Sequence, residues 1–552
     1  MTRVKLSNDV LIIQVPYHRK DEVSSILGAK WDRRGKVWAA PKESVLDVIE
    51  RFGTKALDNN ANNWAVDYMN LLGQAASYKD FKKQDFKFLD GYLDFLMPHQ
   101  KTCVAISRMF DRYAFFMDTG TGKTIASLGI MHEKLENGKW LILCPKAIIK
   151  TAWLGDQREF FPHVRLLPLS KNMKKGDYRK IADDWGMPYA DKEKLTAEAD
   201  AYIINFESFK SDFAMIKQLP IKGLIIDESA RIRNPTTQTT KQVIEYAASM
   251  KYVYILSGKP SPNNMFGYFS QMNVVDPSIL GNSFFKFRQT FFMPDPTDYM
   301  GYRWIPKDSA DKVLAKRIKN KAFIVKKADC LDLPDKTYII RDIALSGKAK
   351  SYYNEMYRHR VLIAQDSVVA ADNKVTQIMK LRQITAGFIL DDVGSSEVLH
   401  NQKINELMSV VDDLGDEQAI IWIQFQNEAR LIEETLSKQG YSVVTAYGGT
   451  KDVDDSIERF KSKEAQFIIA HPRTLMYGVT FTQCTYAIYY SVSYSSEEYY
   501  QSHDRIYRKG QVNPCTFIFL LCEKTVDYLA YNAMQDKIDK SDLVEKFIKG
   551  VV

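Results

Sequence analysis

The sequence predicts an α/β protein: two lobes built on parallel sheets, a helical insertion between them, and a small α+β module at the N-terminus. Three observations carry that prediction. Short, wholly apolar runs alternate with helix-length segments over residues 96–270 and again from about residue 396, the pattern of buried parallel strands covered by helices on both faces. The rhythm is lost over residues 275–395, which carry an aromatic cluster (284–292) and long polar–apolar helical stretches such as 343–387. The first fifty residues form a pattern of their own, with two tryptophans around a Gly-containing turn. Hydrophobic residues at 45% and charged residues at 26% exclude a mostly disordered or collagen-like chain.

In chain order, residues 1–52 read as a small module. Val10 to Val15 is a β-rich run, AKWDRRGKVWAAP (29–41) suggests a hairpin, and 43–52 a closing amphipathic helix. Residues 53–91 are polar, then Lys/Phe-rich, and read as a connector. In the first lobe (92–274) the expected strands are FFM (115–117), LILC (141–144), AYIIN (201–205), GLIID (223–227) and YVYILS (252–257). In the second (396–552) they are AIIWIQF (419–425), YSVVTA (441–446), AQFIIA (465–470), YAIYYS (486–491) and TFIFLL (516–521). No apolar run approaches the roughly 18 residues of a membrane helix, and no signal peptide is visible, so a cytoplasmic location is expected. The six cysteines have no CxxC spacing and read as reduced thiols, and the eight histidines show no ligand spacing. The net charge of +8 permits a polyanionic partner without demonstrating one.

Three segments carry chemistry. MDTGTGKT (117–124) follows a strand and precedes a helix-compatible run. That arrangement wraps backbone N–H groups, here from Thr119 to Gly122, around a phosphate. Gly120 and Gly122 admit close approach, Lys123 would reach the terminal phosphates, and the Thr124 hydroxyl would sit on Mg²⁺. The strict pattern wants glycine at the position of Met117, so the motif is incomplete by that rule. In GLIIDESARIRNP (223–235) a buried strand delivers Asp227 and Glu228 to its C-terminal edge. Asp227 would hold Mg²⁺ and Glu228 would polarise the attacking water; alternatively the two are carboxylates capping a helix. In QSHDRIYRKGQ (501–511), Arg505 and Arg508 are three apart, on one face if the segment is helical. They would stabilise charge on a transferring phosphoryl group, or belong to a solvated basic face.

In this order and at these distances the segments resemble superfamily 2 helicases, and more closely the SWI/SNF-type DNA translocases, over about residues 92–535. LMPHQ (96–100) is similar to the family's entry motif, LILCPKAIIKTAW (141–153) to motif Ia, YIINFESF (202–209) to motif Ib, LSGKPSPNN (256–264) to motif III. IIWIQFQNEARLI is similar to motif IV, HPRTLMYGVTFTQC to motif V, and KTVDYLAY (524–531) to the closing brace. The resemblance implies two RecA-like lobes with ATP and Mg²⁺ in the cleft between them. It implies adenine recognition by Gln100, nucleotide contacts at Gly478 and Gln501, and nucleic-acid contacts at Lys146, Trp153 and Ser257. Ala230 and Lys259 stand where His and Thr are usual, so coupling between the nucleotide and nucleic-acid sites is expected to be altered.

The module at 28–41 resembles the HARP-type domain found beside some annealing helicases. Its Arg33 and Lys36 are candidate phosphate contacts, while Trp31 and Trp38 are expected in its core. The basic stretch 312–327, with Lys316 and Arg317, either lines a DNA groove or is a solvated helix face. The aromatic cluster 284–292 is expected to be core rather than a stacking platform.

The reading is a DNA-dependent ATPase, expected to be a monomer, that moves along double-stranded or branched DNA and remodels it by branch migration, fork regression or annealing, in repair or recombination. Two alternatives stay open: an RNA helicase on the same lobes, and a nucleotide-gated adaptor without turnover.

Overall fold

The computed structural model describes residues 2–549 except 27, 90, 92, 170–173, 189–190, 263, 298–303, 364–367, 371–373, 392–394 and 476–478. The chain divides into two compact units, Met1–Cys330 with Ser541–Val552, and Leu331–Lys540.

The first unit opens with a four-stranded antiparallel sheet in the spatial order Arg3–Ser7, Val10–Gln14, Val37–Pro41, Lys30–Asp32. Asn8 and Asp9 both take positive φ, the two-residue hairpin turn that suits these residue types. Its core includes Val4, Leu11, Ile13, Ala40, Val45 and Val48, with Trp38 packed partly buried against them. Trp31 faces Trp38 across the hairpin, edge to face at 5.5 Å, and stays 49% exposed, which corrects the expectation that both are core.

The expected connector contains a 21-residue helix, Asn59–Lys79. Its N-cap Asp58 accepts from the Ala61 N–H at 2.8 Å. Ala61, Ala65, Tyr68 and Ala75 are its buried face. Trp64, Leu71, Leu72 and Tyr78 pack partly buried on the same core. Its Trp64 indole donates to the Lys42 carbonyl of the module, and its Tyr78 carbonyl accepts from Thr102 of the helix Pro98–Met109.

The main sheet of this unit has seven parallel strands in the order Ala322–Val325, Arg112–Met117, Tyr252–Ser257, Ile221–Ile226, Lys139–Cys144, Ala201–Asn205, Leu166–Pro168. Alternate residues fill opposite faces: Tyr113, Phe115 and Met117 lie in one core, Ala114 and Phe116 in the other. All five expected strands are present, and two short edge-ward strands are added.

The second unit has a six-stranded parallel sheet in the order Lys336–Ile343, Cys515–Cys522, Tyr486–Tyr489, Ala419–Trp422, Phe467–Ala470, Val443–Ala446. Helices cover it on both faces. The fold is therefore α/β, with a parallel sheet in each unit. The segment 275–395 is divided between them: Ala322–Val325 extends the first sheet and Lys336–Ile343 the second. Two helices, Gly347–His359 and Lys374–Ala386, make up its helical part in the second unit. Of the aromatic cluster, Phe287, Phe291 and Phe292 are core, as expected. The last helix, Val526–Lys549, starts in the second unit, and its final turns count with the first. Among the described residues no helix is long and apolar enough to cross a membrane.

Candidate active site

The candidate site lies at the C-terminal ends of two strands of the first sheet, Arg112–Met117 and Ile221–Ile226, separated by Tyr252–Ser257. Chain leaving the first strand passes through residues 118–122 and enters the helix Lys123–His132. Gly120 and Gly122 have φ of 81° and 77°, a conformation that only glycine adopts cheaply. At Gly122 the packing is decisive too: a Cβ there would lie 2.1 Å from Nε2 of Gln100.

Neighbouring groups brace this loop. His99 Nε2 lies 2.8 Å from the Thr121 carbonyl, and the Gln100 amide donates to the carbonyls of Thr121 (3.3 Å) and Gly122 (3.2 Å). Gln100 Oε1 accepts from the Met97 N–H, so this side chain, expected to read adenine, is spent on holding the loop. Asp118 accepts from the Lys327 N–H through Oδ2 and donates its own N–H to the Val325 carbonyl. The Thr121 hydroxyl donates back to the Asp118 carbonyl at 2.7 Å. His99 and Asp118 were not singled out from the sequence. The signal for His99 was its place beside Gln100 at the start of a helix aimed at the loop.

Lys123 is nearly buried. Its ammonium donates to the Met117 carbonyl at 3.2 Å and pairs with Glu228 Oε1 at 3.6 Å. Asp227 is buried, and its Oδ1 accepts from the Glu228 N–H while Oδ2 accepts from the Trp153 indole at 3.0 Å. Burial pushes the Asp227 carboxyl up, against the opposing pull of Lys123 and of the Trp153 hydrogen bond. Glu228 sits in the left-handed region at φ 55°, a local strain of about 1 kcal/mol that the surroundings must hold. Asp227 and Glu228 do not open an α-helix; a short 3₁₀ turn, Ser229–Ile232, follows them.

The residues present fit a triphosphate with Mg²⁺. Thr119 Oγ1 and Ser257 Oγ are buried beside the loop without a hydrogen-bond partner among the described residues. The loop N–H groups, the Thr124 hydroxyl and the Asp227 carboxylate supply the donors and hard oxygen ligands such a group needs. No cluster of three or more His, Cys, Asp or Glu among the described residues competes as a metal site.

Other expected site residues fall elsewhere. Trp153 and Ser257 are fully buried, so neither offers a surface to nucleic acid; this corrects both expectations. Lys146 is exposed just past the strand Lys139–Cys144, and Arg33 and Lys36 are exposed at the hairpin tip. Arg317 is paired with Asp47 at 3.1 Å and Lys316 with Glu50 at 3.3 Å, both acids on the module's helix Val45–Phe52. Of the basic stretch 312–327, Lys316 and Arg317 thus pair with the module, while Lys312 and Lys319 stay exposed. In the second unit the helix Ser496–His503 stops before the arginines, which stand in the turns that follow and not on one helical face. Arg505 is buried and donates to the carbonyls of Gln501 (2.9 Å) and Val479 (2.7 Å), a structural use. Arg508 is half-buried; its carbonyl accepts from the Gln511 N–H at 3.0 Å, and its guanidinium makes no hydrogen bond among the described residues. Gln501 has a buried Oε1 without a partner among the described residues, and Gly478 lies outside them.

Residues 99–387, more than half of the chain, match the model of the SNF2-related domain, and residues 402–510 that of the helicase conserved C-terminal domain. Chromodomain-helicase-DNA-binding protein 1-like of Danio rerio is 21% identical over 525 residues, covering 90% of this chain and 46% of the relative. An uncharacterized ATP-dependent helicase of Mycoplasma genitalium is 24% identical over 445 residues, 78% of this chain and 39% of the relative. The chain thus spans less than half the length of these relatives. Among solved structures, the SWI2/SNF2 ATPase core of Sulfolobus solfataricus in complex with dsDNA matches at 22% identity and a TM-score of 0.37, covering 82% of this chain and 94% of that one.

Proposed function

The chain belongs to the family of SNF2-related domains, and from that premise we propose that it is an ATP-dependent translocase on double-stranded DNA that remodels DNA by branch migration, fork regression or annealing. The observation that carries this reading is the convergence of Lys123, Asp227 and Glu228 at one glycine-shaped loop, with buried unpartnered hydroxyls beside it. Incoming phosphate would compete with Glu228 for the Lys123 ammonium and free the carboxylate to orient water and take its proton. Asp227 and the Thr124 hydroxyl would hold Mg²⁺, which when bound neutralises charge on the phosphate oxygens. Trp153 keeps the Asp227 carboxylate aimed. Of the two arginines, Arg508 has its guanidinium available for charge stabilisation, and Arg505 maintains its own segment. Lys146 and the hairpin tip at Arg33 and Lys36 are proposed as phosphate contacts, which carry no base code and suit sequence-independent movement.

Hydrolysis of ATP should be stimulated by duplex DNA and fall with rising salt. Glu228→Gln should lower turnover by about 10²–10⁴-fold with nucleotide binding retained. Stimulation by RNA with no response to DNA would redirect the reading to an RNA helicase, and nucleotide binding without turnover in the wild type would make it an adaptor.

A further inference from the structure

The last turns of the C-terminal helix place two acids against the loop's supports. Lys259 Nζ lies 3.0 Å from Asp542 Oδ1 and 3.3 Å from Glu545 Oε2. Lys326 pairs with the same two carboxylates. Glu545 has a side chain only 2% exposed, and its Oε1 is buried without a hydrogen-bond partner among the described residues, so the two ammonium groups are its compensation. Val544 and Ile548, on the same turns, sit in the core with Tyr268 and Phe269. One turn on, Lys549 pairs with Asp329 at 2.6 Å, and Asp329 also accepts from the Lys326 N–H.

Both lysines stand next to backbone that touches the phosphate loop. Gly258 packs on Thr119 and Lys123: a Cβ there would lie 3.4 Å from the Thr119 nitrogen and 3.6 Å from Lys123 Nζ. Val325 and Lys327, on either side of Lys326, make the two hydrogen bonds to Asp118. Two cations so close repel each other, and burial together with Lys259 pushes the Lys326 ammonium down to about 8. Without an acid between them the segments flanking the loop would be driven apart.

We propose that Asp542 and Glu545 are positioning residues for the phosphate loop: by bridging Lys259 to Lys326 they clamp the two segments that flank Asp118 and Thr119 and keep the loop shaped for a triphosphate. This rests on the ATP-site reading above. Lys259, which stands where Thr is usual in the family, becomes one half of a compensated pair.

The test uses the full chain and compares Glu545→Gln, Asp542→Asn and, as control, the exposed Asp539→Asn on the same helix. Losing a charge-assisted contact to the clamp should raise the KM for ATP, and the Kd for a fluorescent ATP analogue, by roughly tenfold. The kcat at saturating ATP should change less than about threefold, because the reacting groups are intact. Asp539→Asn should match the wild type. If Glu545→Gln does not fold, the half-exposed Asp542→Asn still reads the same constants. Combining Lys326→Met with Glu545→Gln should add little to either single change, since both break one bridge. A lowered Tm with unchanged KM and Kd, or fully additive effects, would overturn the proposal. Undiminished hydrolysis in Lys123→Ala would instead sink the ATP-site reading itself, so the two failures are told apart.

Discussion

Trp153 shows what a single side chain can hide from its sequence. Its motif points to nucleic acid, yet the indole is fully buried and donates to Asp227 Oδ2. The hydrogen bond favours the ionised carboxylate against the burial that disfavours it. Trp153→Phe keeps the ring and removes the donor. A hydrogen bond to a charged group contributes about 1.5–3 kcal/mol, so the variant should bind Mg²⁺ with ATP about 10- to 100-fold more weakly, read by titrating Mg²⁺ at fixed nucleotide. Its affinity for duplex DNA without nucleotide should stay at the wild-type value; a loss there would restore the DNA-contact role. Gly122→Ala is harsher, because φ is 77° and the added Cβ would collide with Gln100. Nucleotide binding should be lost in Gly122→Ala, and trimming Gln100 to Ala in the same chain should not recover it, because the φ strain remains.

At the scale of elements, buried strands were legible because four to six consecutive apolar residues have few alternatives in a chain this polar. Strands that escaped notice did so for physical reasons. Ala322–Val325 is four residues inside a lysine-rich run, and Lys336–Ile343 keeps most of its residues in contact with solvent at a sheet edge. The helix Asn59–Lys79 is hard to read because asparagines mask it and three of its four fully buried residues are alanines. The loop, the lysine and the two carboxylates of the site were legible because each is a local pattern. The tie of Asp542 and Glu545 to Lys259 was not, since it joins residues more than 280 positions apart. A second such long-range tie lies in the other unit: Lys403, fully buried on the helix Gln402–Leu414, pairs at 2.6 Å with Asp527 at the start of the last helix. Asp527 also accepts from Thr385 and from the Cys522 N–H. Asp527→Asn leaves a buried ammonium without its counter-charge and should cost about 3–5 kcal/mol in chemical denaturation. Lys403→Met with Asp527→Leu should recover a large part of that loss; a single substitution costing under about 1 kcal/mol would show the pair to be solvated.

For the molecule as a whole, each unit owns a sheet and the cores on its two faces, while the groups proposed to hold nucleotide, Lys123, Thr124, Asp227 and Glu228, all belong to the first. Units with separate cores are expected to unfold as separate cooperative transitions. A ligand that binds only the folded form stabilises it by about 2.7 kcal/mol at a hundredfold excess over Kd. A non-hydrolysable ATP analogue with Mg²⁺ should therefore raise the midpoint of one calorimetric transition by a few degrees, and that transition should be the one shifted down by Gly122→Ala. The transition lowered by Asp527→Asn reports the second unit. If the analogue raises both equally and Arg508→Ala abolishes only the second shift, then nucleotide is held by both units and Arg508 is its contact in the second. If Arg508→Ala leaves every shift and the rate of hydrolysis untouched, the arginine has no part in the nucleotide chemistry.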